Sequence, residues 1–149
     1  MAEILSISPE HIEEISKIEN ESFGDPWSKR SFFEILEAPF ALGFAALEEA
    51  EVAGYLVAQR IFPEIEILKI AVKKSERRKK IATELFCALL GHAKAEKAER
   101  LILEARRSNI GAIGFYDKLG FEVDGFRENY YANPKEDAVL MSMEIRVEK

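Results

Sequence analysis

A block of positive charge precedes a stretch with helical periodicity in the middle of this 149-residue chain. Six of its 21 Lys and Arg residues lie between Lys73 and Lys80, although the net charge is −6. An apolar run typical of a strand precedes the block, and Ile81, Leu85 and Leu89 follow it on one helical face. The first N–H groups of a helix have no partner within it and, with the helix dipole, attract anions. An anion site is therefore one possible use of this segment.

The basic block has two competing interpretations that these residues alone leave open. A run of charges before a helix is most often a solvated face, and a basic run can also be a nucleic-acid or nuclear-targeting patch. The net charge of −6 and a sequence pI near 5.1 disfavour a protein that coats nucleic acid through its overall field. A local patch is compatible with both values.

A second group of candidate residues lies downstream, in the run RLILEARRSNIGAIGFYDKLGFEVDG. Glu104 ends a predicted strand, while Asn109 and Tyr116 are seven residues apart on a predicted short helix and so project from nearly the same face. Each also has an ordinary structural interpretation. Glu104 could face solvent, Asn109 could start the helix, and Tyr116 could be a core aromatic beside Phe115.

The spacing in this run resembles the GNAT acetyltransferases, which use acetyl-CoA. The pattern is E-x-R-x-S-N-x-x-A-x-x-F-Y-x-K-L-G-F, and element order and length match the family over nearly the whole chain. Three further pieces, DPWS (25–28), RENYY (127–131) and EDAVLMSM (136–143), resemble the RimI branch. RimI enzymes acetylate protein N-terminal α-amino groups, in bacteria the N-terminal alanine of a small-subunit ribosomal protein, and archaeal relatives acetylate a wider set of N-termini.

The resemblance implies a role for each downstream candidate. Glu104 would be the general base that takes the amine proton through a water molecule, Tyr116 would protonate the departing thiolate, and Asn109 would contact the pantetheine arm. An α-amino group has a pKa of about 8, against about 10.4 for lysine, so a carboxylate acting through water could suffice near neutral pH.

The resemblance also implies where acetyl-CoA and the acceptor bind. A backbone N–H in the segment Ile70, Ala71, Val72 would hold the oxyanion of the reaction. The phosphate-binding residues would be Arg77, Arg78, Lys79, Lys80, Ile81, Ala82 and Thr83. The acceptor groove would be lined by Trp27, Tyr130 and Tyr131. Simple packing is favoured for Trp27, and loop aromatics that cover the core are an equal alternative for the two tyrosines.

One position departs from the family's phosphate loop, which reads Arg or Gln, two residues, Gly, one residue, then Gly or Ala. Lys80 stands where the first glycine is expected. A lysine adds a Cβ that could crowd the pyrophosphate, and also a cation that could pair with it. Three functions therefore stay open: N-terminal α-amine acetylation, acetylation of lysine, polyamine or a small amine, and a non-catalytic ribosome- or RNA-associating module that uses the basic loop 73–80.

Composition indicates one ordinary globular domain over residues 1–149, with 48% hydrophobic and 32% charged residues. The longest nearly apolar run, 40–47, is far shorter than the roughly 20 residues that cross a bilayer, and no N-terminal signal pattern is present. The single Cys87 cannot form an intrachain disulfide, so a cytoplasmic protein is expected, with Cys87 a small packing residue. His11, His92 and Cys87 lack metal-ligand spacing, so no metal is expected.

The elements that must position these residues follow the order βααβββαβαββ, an α+β or mixed α/β domain. The resemblance implies the GNAT fold, a central and mostly antiparallel mixed sheet flanked by helices. Helix starts are predicted at Ser8–Pro9, Ser28 and Ser108, and Gly120 ends the last helix. The segment EIEILKIAV (64–72) becomes wholly apolar, as a strand does when it moves from the edge of a sheet into its centre. FEVDGF (121–126) and DAVLMSMEIRV (137–147) are predicted as the last two strands.

Overall fold

A computed structural model of the chain describes residues 2–77, 80–132 and 134–145. The predicted order βααβββαβαββ is confirmed by the strands and α-helices within these ranges. The strands are β1 Glu3–Ser6, β2 Ala41–Glu48, β3 Glu51–Ile61, β4 Glu64–Val72, β5 Arg100–Arg106, β6 Glu122–Ala132 and β7 Lys135–Glu144. The helices are α1 Ile12–Ser22, α2 Lys29–Glu37, α3 Ile81–Ala95 and α4 Ile110–Leu119, with short 3-10 turns at Pro9–His11 and Lys74–Glu76.

The strands form a single mixed sheet in the order β1-β2-β3-β4-β5-β7-β6. Neighbouring strands are antiparallel except β4 and β5, which are parallel. A parallel pair needs a long crossover connection, and the 3-10 turn and α3 provide it here. The sheet is therefore mostly antiparallel, as expected, with its one parallel pair in the middle.

Apolar side chains pack on both faces of this sheet. One cluster includes Leu56 of β3, Leu85 of α3 and Leu101 of β5, so α3 covers this face together with α4. The other cluster includes Ile15 of α1 and Phe32 of α2. Helices α1 and α2 make their main contacts with β2, β3 and β4. The same face of β5, β7 and β6 therefore extends beyond these two helices.

Strands β4 and β5 pair over only part of their length. Their ladder ends at the pair Ile67 and Leu103, whereas β4 continues to Val72 and β5 to Arg106. The interpretation of 64–72 as a strand that enters the centre of the sheet is wrong, because its first half is central and its second half borders a gap. Its last three residues are apolar because Ile70 and Val72 pack against the α3 cluster and Ala71 against the α1 cluster.

A β-bulge at Leu68 marks the point where the two strands separate. In the ladder with β3, Ile67 pairs with Ala58 and Lys69 with Val57, so Leu68 is the extra residue. A bulge bends its strand and increases the local twist. The bend begins one residue after the last pair with β5, and it accounts for the divergence of β4 from its parallel neighbour.

Helix starts match the sequence patterns at two of three places. Ser28 caps α2, where its Oγ accepts a hydrogen bond from the N–H of Ser31 at 3.1 Å. Ser8 precedes the 3-10 turn at Pro9–His11, which leads directly into α1. The prediction of Ser108 as the cap of α4 is wrong. Asn109 is the cap, and Ser108 instead binds Glu136 through its N–H and its hydroxyl.

Two further expectations about the C-terminal half need correction. Strand β6 extends to Ala132, so Tyr130 and Tyr131 lie on a strand and not in a loop. Strand β7 begins at Lys135, and residues 146 and 147 of the predicted strand lie outside the described residues.

Cys87 is exposed on α3, so it is not a packing residue. Within the described ranges, no helix is long and apolar enough to cross a membrane.

Candidate active site

Glu104 lies where β5 leaves its parallel partner. It is the first residue of β5 after the last pair with β4, and on the other side it pairs with Leu140 of β7. Its neighbours Leu103 and Ala105 belong to the cluster beneath α3, so the Glu104 side chain points to the opposite face. Helices α1 and α2 pack on that face, and their main contacts with the sheet extend only as far as β4. Glu104 therefore combines a fixed backbone with a side chain that is about 20% exposed, beside the gap.

Two side chains of β6 reach Glu104. The Nη2 atom of Arg127 lies 3.8 Å from Glu104 Oε1, and the guanidinium lies 5.4 Å from the ring centre of Tyr130. A hydrogen bond from the Tyr130 hydroxyl to Glu104 raises the pKa of Tyr130, and burial and the Glu104 charge raise it further. Tyr130 therefore stays a neutral hydrogen-bond donor at physiological pH.

Tyr131 completes this polar and aromatic surface. Its ring meets the Tyr130 ring edge to face at 5.1 Å, and the Arg106 guanidinium lies 4.3 Å from its centre. Burial raises the pKa of Tyr131 to about 12, and the negative charge of Glu104 contributes. The structure thus brings both predicted acceptor-site tyrosines to the surface around Glu104.

Tyr116 approaches from the other side of the sheet. It is buried in α4, within the cluster that includes Leu103 and Ala105, and its ring packs edge to face on Phe121 at 5.4 Å. Burial raises the pKa of Tyr116, so the phenol keeps its proton at neutral pH. Its location fits both the predicted acid and the alternative of a core aromatic. Glu104 and Tyr116 therefore lie on opposite faces of the sheet.

Asn109 occupies the N-cap of α4, as its structural interpretation as a helix-start residue predicts. Its Oδ1 accepts a hydrogen bond from the N–H of Ala112 at 3.2 Å. At the other end, Gly120 has φ of 109°, a left-handed conformation in which its N–H bonds the carbonyl of Asp117. These two ends define α4, the helix that carries Tyr116.

The basic segment leads into α3 as predicted. Arg77 is exposed, and its Nε donates a hydrogen bond to the carbonyl of Val72 at 3.1 Å, which links the segment to the end of β4. Arg78 and Lys79 lie outside the described residues. Ile81 is buried and anchors the first turn of the helix. The side chains of Ala82 and Thr83 are partly exposed in the same turn.

Lys80 is the N-cap of α3 and has the left-handed conformation, with φ 63° and ψ 20°. This is the backbone region that glycine enters without steric cost and other residues enter at about 1–2 kcal/mol. The chain therefore makes a glycine-type turn with a lysine. Lysine has no hydrogen-bond acceptor, whereas Ser28 and Asn109 cap α2 and α4 with side-chain oxygens. Among the described residues, no side chain therefore caps the first N–H groups of α3, which can bind an anion.

Trp27 lies in the segment between α1 and α2. Its ring packs edge to face on Phe32 at 5.3 Å, and its backbone N–H donates to Glu19 Oε2 at 2.8 Å. These contacts agree with the favoured packing interpretation of Trp27. The segment lies on the same face of the sheet as Glu104.

A family comparison decides which chemistry these features serve. The model of the "Acetyltransferase (GNAT) family" matches residues 12–121. The chain belongs to this family.

Individual relatives agree with the assignment to the GNAT family. The chain is 36% identical over 141 residues to a putative ribosomal protein bS18-alanine N-acetyltransferase of Bacillus subtilis, with 94% of this chain and 93% of that protein covered. It is 32% identical over 144 residues to an N-alpha-acetyltransferase of Saccharolobus solfataricus, with 88% and 86% covered. The expected resemblance to the RimI branch is confirmed.

Solved structures agree with the GNAT fold. The ribosomal-protein-S18-alanine N-acetyltransferase of Escherichia coli superposes with a TM-score of 0.90 at 27% identity, covering 100% of this chain and 97% of that one. Arabidopsis thaliana NAA60 in complex with acetyl-CoA superposes with a TM-score of 0.87 at 17% identity, covering 97% and 99%, which supports the fold alone. The predicted α+β GNAT fold is confirmed.

Acetyl-CoA is the acetyl donor of GNAT enzymes, and the described residues fit it at two places. Strand β4 borders the gap from Leu68 to Val72, beyond the last pair with β5, and so offers backbone groups to a bound acyl group and pantetheine arm. The uncapped first turn of α3, with Arg77 and Lys80 beside it, suits the phosphates. The two places are joined by the Arg77–Val72 hydrogen bond.

Several residues around the candidate site were not predicted from the sequence. Arg127 had no predicted role beyond its place in RENYY, because its contact with Glu104 depends on the true length of β6. Glu66 was missed as well; it bonds Gln59 at 2.7 Å, and its charge acts on Tyr130. The burial of Glu19 could have been predicted from the sequence, because its spacing from Ile12 and Ile15 places it on the apolar face of α1.

Proposed function

We propose that this GNAT enzyme acetylates the N-terminal α-amino group of a protein, with the N-terminal alanine of a small-subunit ribosomal protein as the first candidate acceptor. The observation that carries the proposal is Glu104, fixed beside the gap between β4 and β5 and contacted by Arg127 and Tyr130. The names of the Bacillus subtilis and Escherichia coli relatives support the choice of acceptor.

The proposed mechanism divides two proton transfers between the faces of the sheet. The acceptor amine attacks the thioester carbonyl of acetyl-CoA, so that a C–N bond replaces the C–S bond and CoA leaves as its thiolate. Glu104 lies on the open face, meaning the face of β5, β7 and β6 that α1 and α2 leave uncovered. There it accepts the proton of the acceptor amine through water, and Tyr130 and Arg127 hold its carboxylate in position. A backbone N–H of Ile70, Ala71 or Val72 donates a hydrogen bond to the developing oxyanion. Tyr116, which burial keeps protonated, donates its proton to the sulfur from the opposite face.

The site residues have matching assignments in this proposal. Asn109 contacts the pantetheine arm from the start of α4. Trp27, Tyr130 and Tyr131 line the acceptor groove on the open face. The phosphates are held at the start of α3 by Arg77, Lys80 and the N–H groups of 81–83, together with Arg78 and Lys79.

The alternatives to this function have weaker support. No contact in the described residues favours a lysine, polyamine or small-amine acceptor over a protein N-terminus. The RNA-binding alternative depends on the loop 73–80. In a GNAT enzyme, this loop leads into the start of α3, where binding of the acetyl-CoA phosphates already accounts for its positive charge. We place the enzyme in the cytoplasm, where the exposed thiol of Cys87 stays reduced.

An acetylation screen tests the proposal. The protein and acetyl-CoA are incubated with peptides that begin with Ala, Ser or Met and contain no lysine, and in parallel with free lysine, spermidine and an N-terminally blocked peptide that contains one lysine. We expect mass spectrometry to locate the acetyl group on the α-amine of the alanine peptide. Faster acetylation of the blocked lysine peptide or of spermidine would contradict the proposal.

A further inference from the structure

Glu19 is a fully buried carboxylate that the proposed mechanism does not use. Its relative exposure is 0%, although it lies on α1, which packs on the surface of the sheet. It accepts hydrogen bonds from the Tyr55 hydroxyl of β3, from Lys69 Nζ of β4 at 2.7 Å and from the backbone N–H of Trp27 at 2.8 Å. One carboxylate therefore joins α1, two strands of the sheet and the segment that follows α1.

Lys69 makes the second set of contacts to this segment. Its Nζ lies 4.0 Å from the ring centre of Phe23 and 4.9 Å from that of Trp27. Its side chain is 13% exposed. An ammonium over aromatic faces is attracted by the ring quadrupoles, and more strongly when it is shielded from water. Lys69 thus holds both aromatic residues of the segment 23–28 against β4.

The position of Lys69 on β4 connects this cluster to the gap. It follows the bulge at Leu68 directly, so it lies on the part of β4 that has separated from β5. Its cross-strand neighbour Val57 belongs to the cluster beneath α1 and α2, which places Lys69 on the same face as Glu104. The segment 23–28 is therefore attached to β4 beside the opening.

The energetics of the cluster argue for a positioning role. A buried ion pair commonly contributes no more stability than apolar residues of the same volume, because both charges lose their hydration. A directional pair does fix geometry, since the carboxylate and ammonium must meet their partners at defined distances and angles. One wall of an acceptor groove must be held in such a fixed geometry.

We propose that Glu19 and Lys69 are positioning residues that hold the segment 23–28 against β4 as one wall of the acceptor groove, and so determine the affinity for the acceptor peptide. The inference rests on the proposed function. It assigns no proton transfer to either residue, and acetyl-CoA binding is independent of them.

The test compares Lys69→Met with Arg60→Met as a matched control. Arg60 also forms an ion pair between a strand and a helical element, with Glu96 at 2.6 Å, but this pair is more exposed and lies toward α3, away from the acceptor groove. We expect Lys69→Met to raise the KM for the alanine peptide about tenfold or more, as misplaced binding groups do, with the Kd for acetyl-CoA unchanged. Arg60→Met should lower the melting temperature without this effect on KM. The double variant Glu19→Gln/Lys69→Met, which leaves no unpaired buried charge, is measured if Lys69→Met does not fold.

Trp27 provides a second readout that does not depend on the acceptor, because it is the only tryptophan of the chain. We expect acrylamide to quench its fluorescence more strongly in Lys69→Met than in the wild type or Arg60→Met. An unchanged peptide KM in the folded variant would overturn the inference, whether or not quenching changes. If the wild type acetylates none of the α-amino peptides, the proposed function fails; unchanged quenching would then overturn the attachment of the segment by Lys69.

Discussion

Tyr116 and Glu104, the two residues assigned to proton transfer in the proposed mechanism, lie in different environments. Tyr116 is surrounded by apolar side chains, and the burial that raises its pKa keeps the phenol protonated at neutral pH, as a proton donor to the sulfur requires. Glu104 lies in a polar environment, where the Arg127 guanidinium and the Tyr130 hydroxyl both contact its carboxyl group. The sheet separates the apolar environment from the polar one.

Tyr116→Phe tests the acid. The change removes one hydroxyl and keeps the ring contact with Phe121, so we expect the melting temperature to stay close to that of the wild type. Turnover should fall by about a hundredfold or more, the usual contribution of a general acid. The measurement is kcat for the alanine peptide at saturating acetyl-CoA. Unchanged turnover in a folded variant would show that Tyr116 is a core aromatic only.

Glu104→Gln tests the base through the pH dependence of the rate. Without the carboxylate, the reaction relies on acceptor molecules whose α-amine is already neutral, and this fraction rises as the pH approaches about 8. We therefore expect the deficit in kcat/KM to be large near pH 6.5 and to shrink as the pH rises. A deficit that stays constant across this range would contradict the assignment of a base. Acetyl-CoA affinity, measured by calorimetry, serves as the control for folding.

At the scale of elements, local patterns predicted the helices better than the strands of the site. The bounds of β4 and α3 follow from clear periodicity, and so they were predictable. The length of β6 was not, because most of its residues are exposed and no alternation of burial marks its second half. The divergence of β4 from β5 depends on a bulge at Leu68, and no residue type announces a bulge there.

The start of α3 gives a prediction that separates a backbone effect from a charge effect. Lys80→Ala keeps a Cβ in the left-handed turn and removes the ammonium, so its acetyl-CoA affinity should fall and should depend less on salt. Lys80→Gly also removes the Cβ. We expect it to be more stable than Lys80→Ala by about 0.5–1 kcal/mol in urea unfolding, because the relief of the left-handed strain exceeds the entropy cost of glycine. Equal stabilities would contradict the strained turn.

At the scale of the whole molecule, helices are attached to both faces of the sheet by ion pairs between residues far apart in sequence. Lys69 and Glu19 join α1 to β4, and Arg60 and Glu96 join α3 to β3. These partners are 50 and 36 residues apart, respectively. Neither pair could be predicted from sequence, because helix and strand periodicities describe only which residues face the core and not which partners meet there.

The pair on the α3 face should make part of the stability depend on pH. The hydrogen bond from Arg60 is the main cause that lowers the pKa of Glu96 below its ordinary value of 4.5, and His92 also contacts this carboxylate. A carboxyl group whose pKa is lowered in the folded state contributes stability above its unfolded pKa, and this contribution is lost as the pH falls through the folded value. Arg60→Met should therefore cost about 2 kcal/mol at pH 7.

Urea unfolding at neutral pH and at about pH 3.5 measures this dependence, since the lower value lies below the ordinary pKa of a glutamate. We expect the difference in unfolding free energy between the wild type and Arg60→Met to shrink in acid. Below the unfolded pKa of Glu96, proton uptake favours the unfolded chain more in the wild type, whose folded state has the lowered pKa, than in Arg60→Met. Glu96→Gln is the matched control, because it cannot titrate and should approach the wild type in the same pH range. A difference that persists unchanged at the lower pH would mean that Arg60 stabilises the protein through its packing and its bonds to the carbonyls of Pro39 and Ala41, and not through its pair with Glu96.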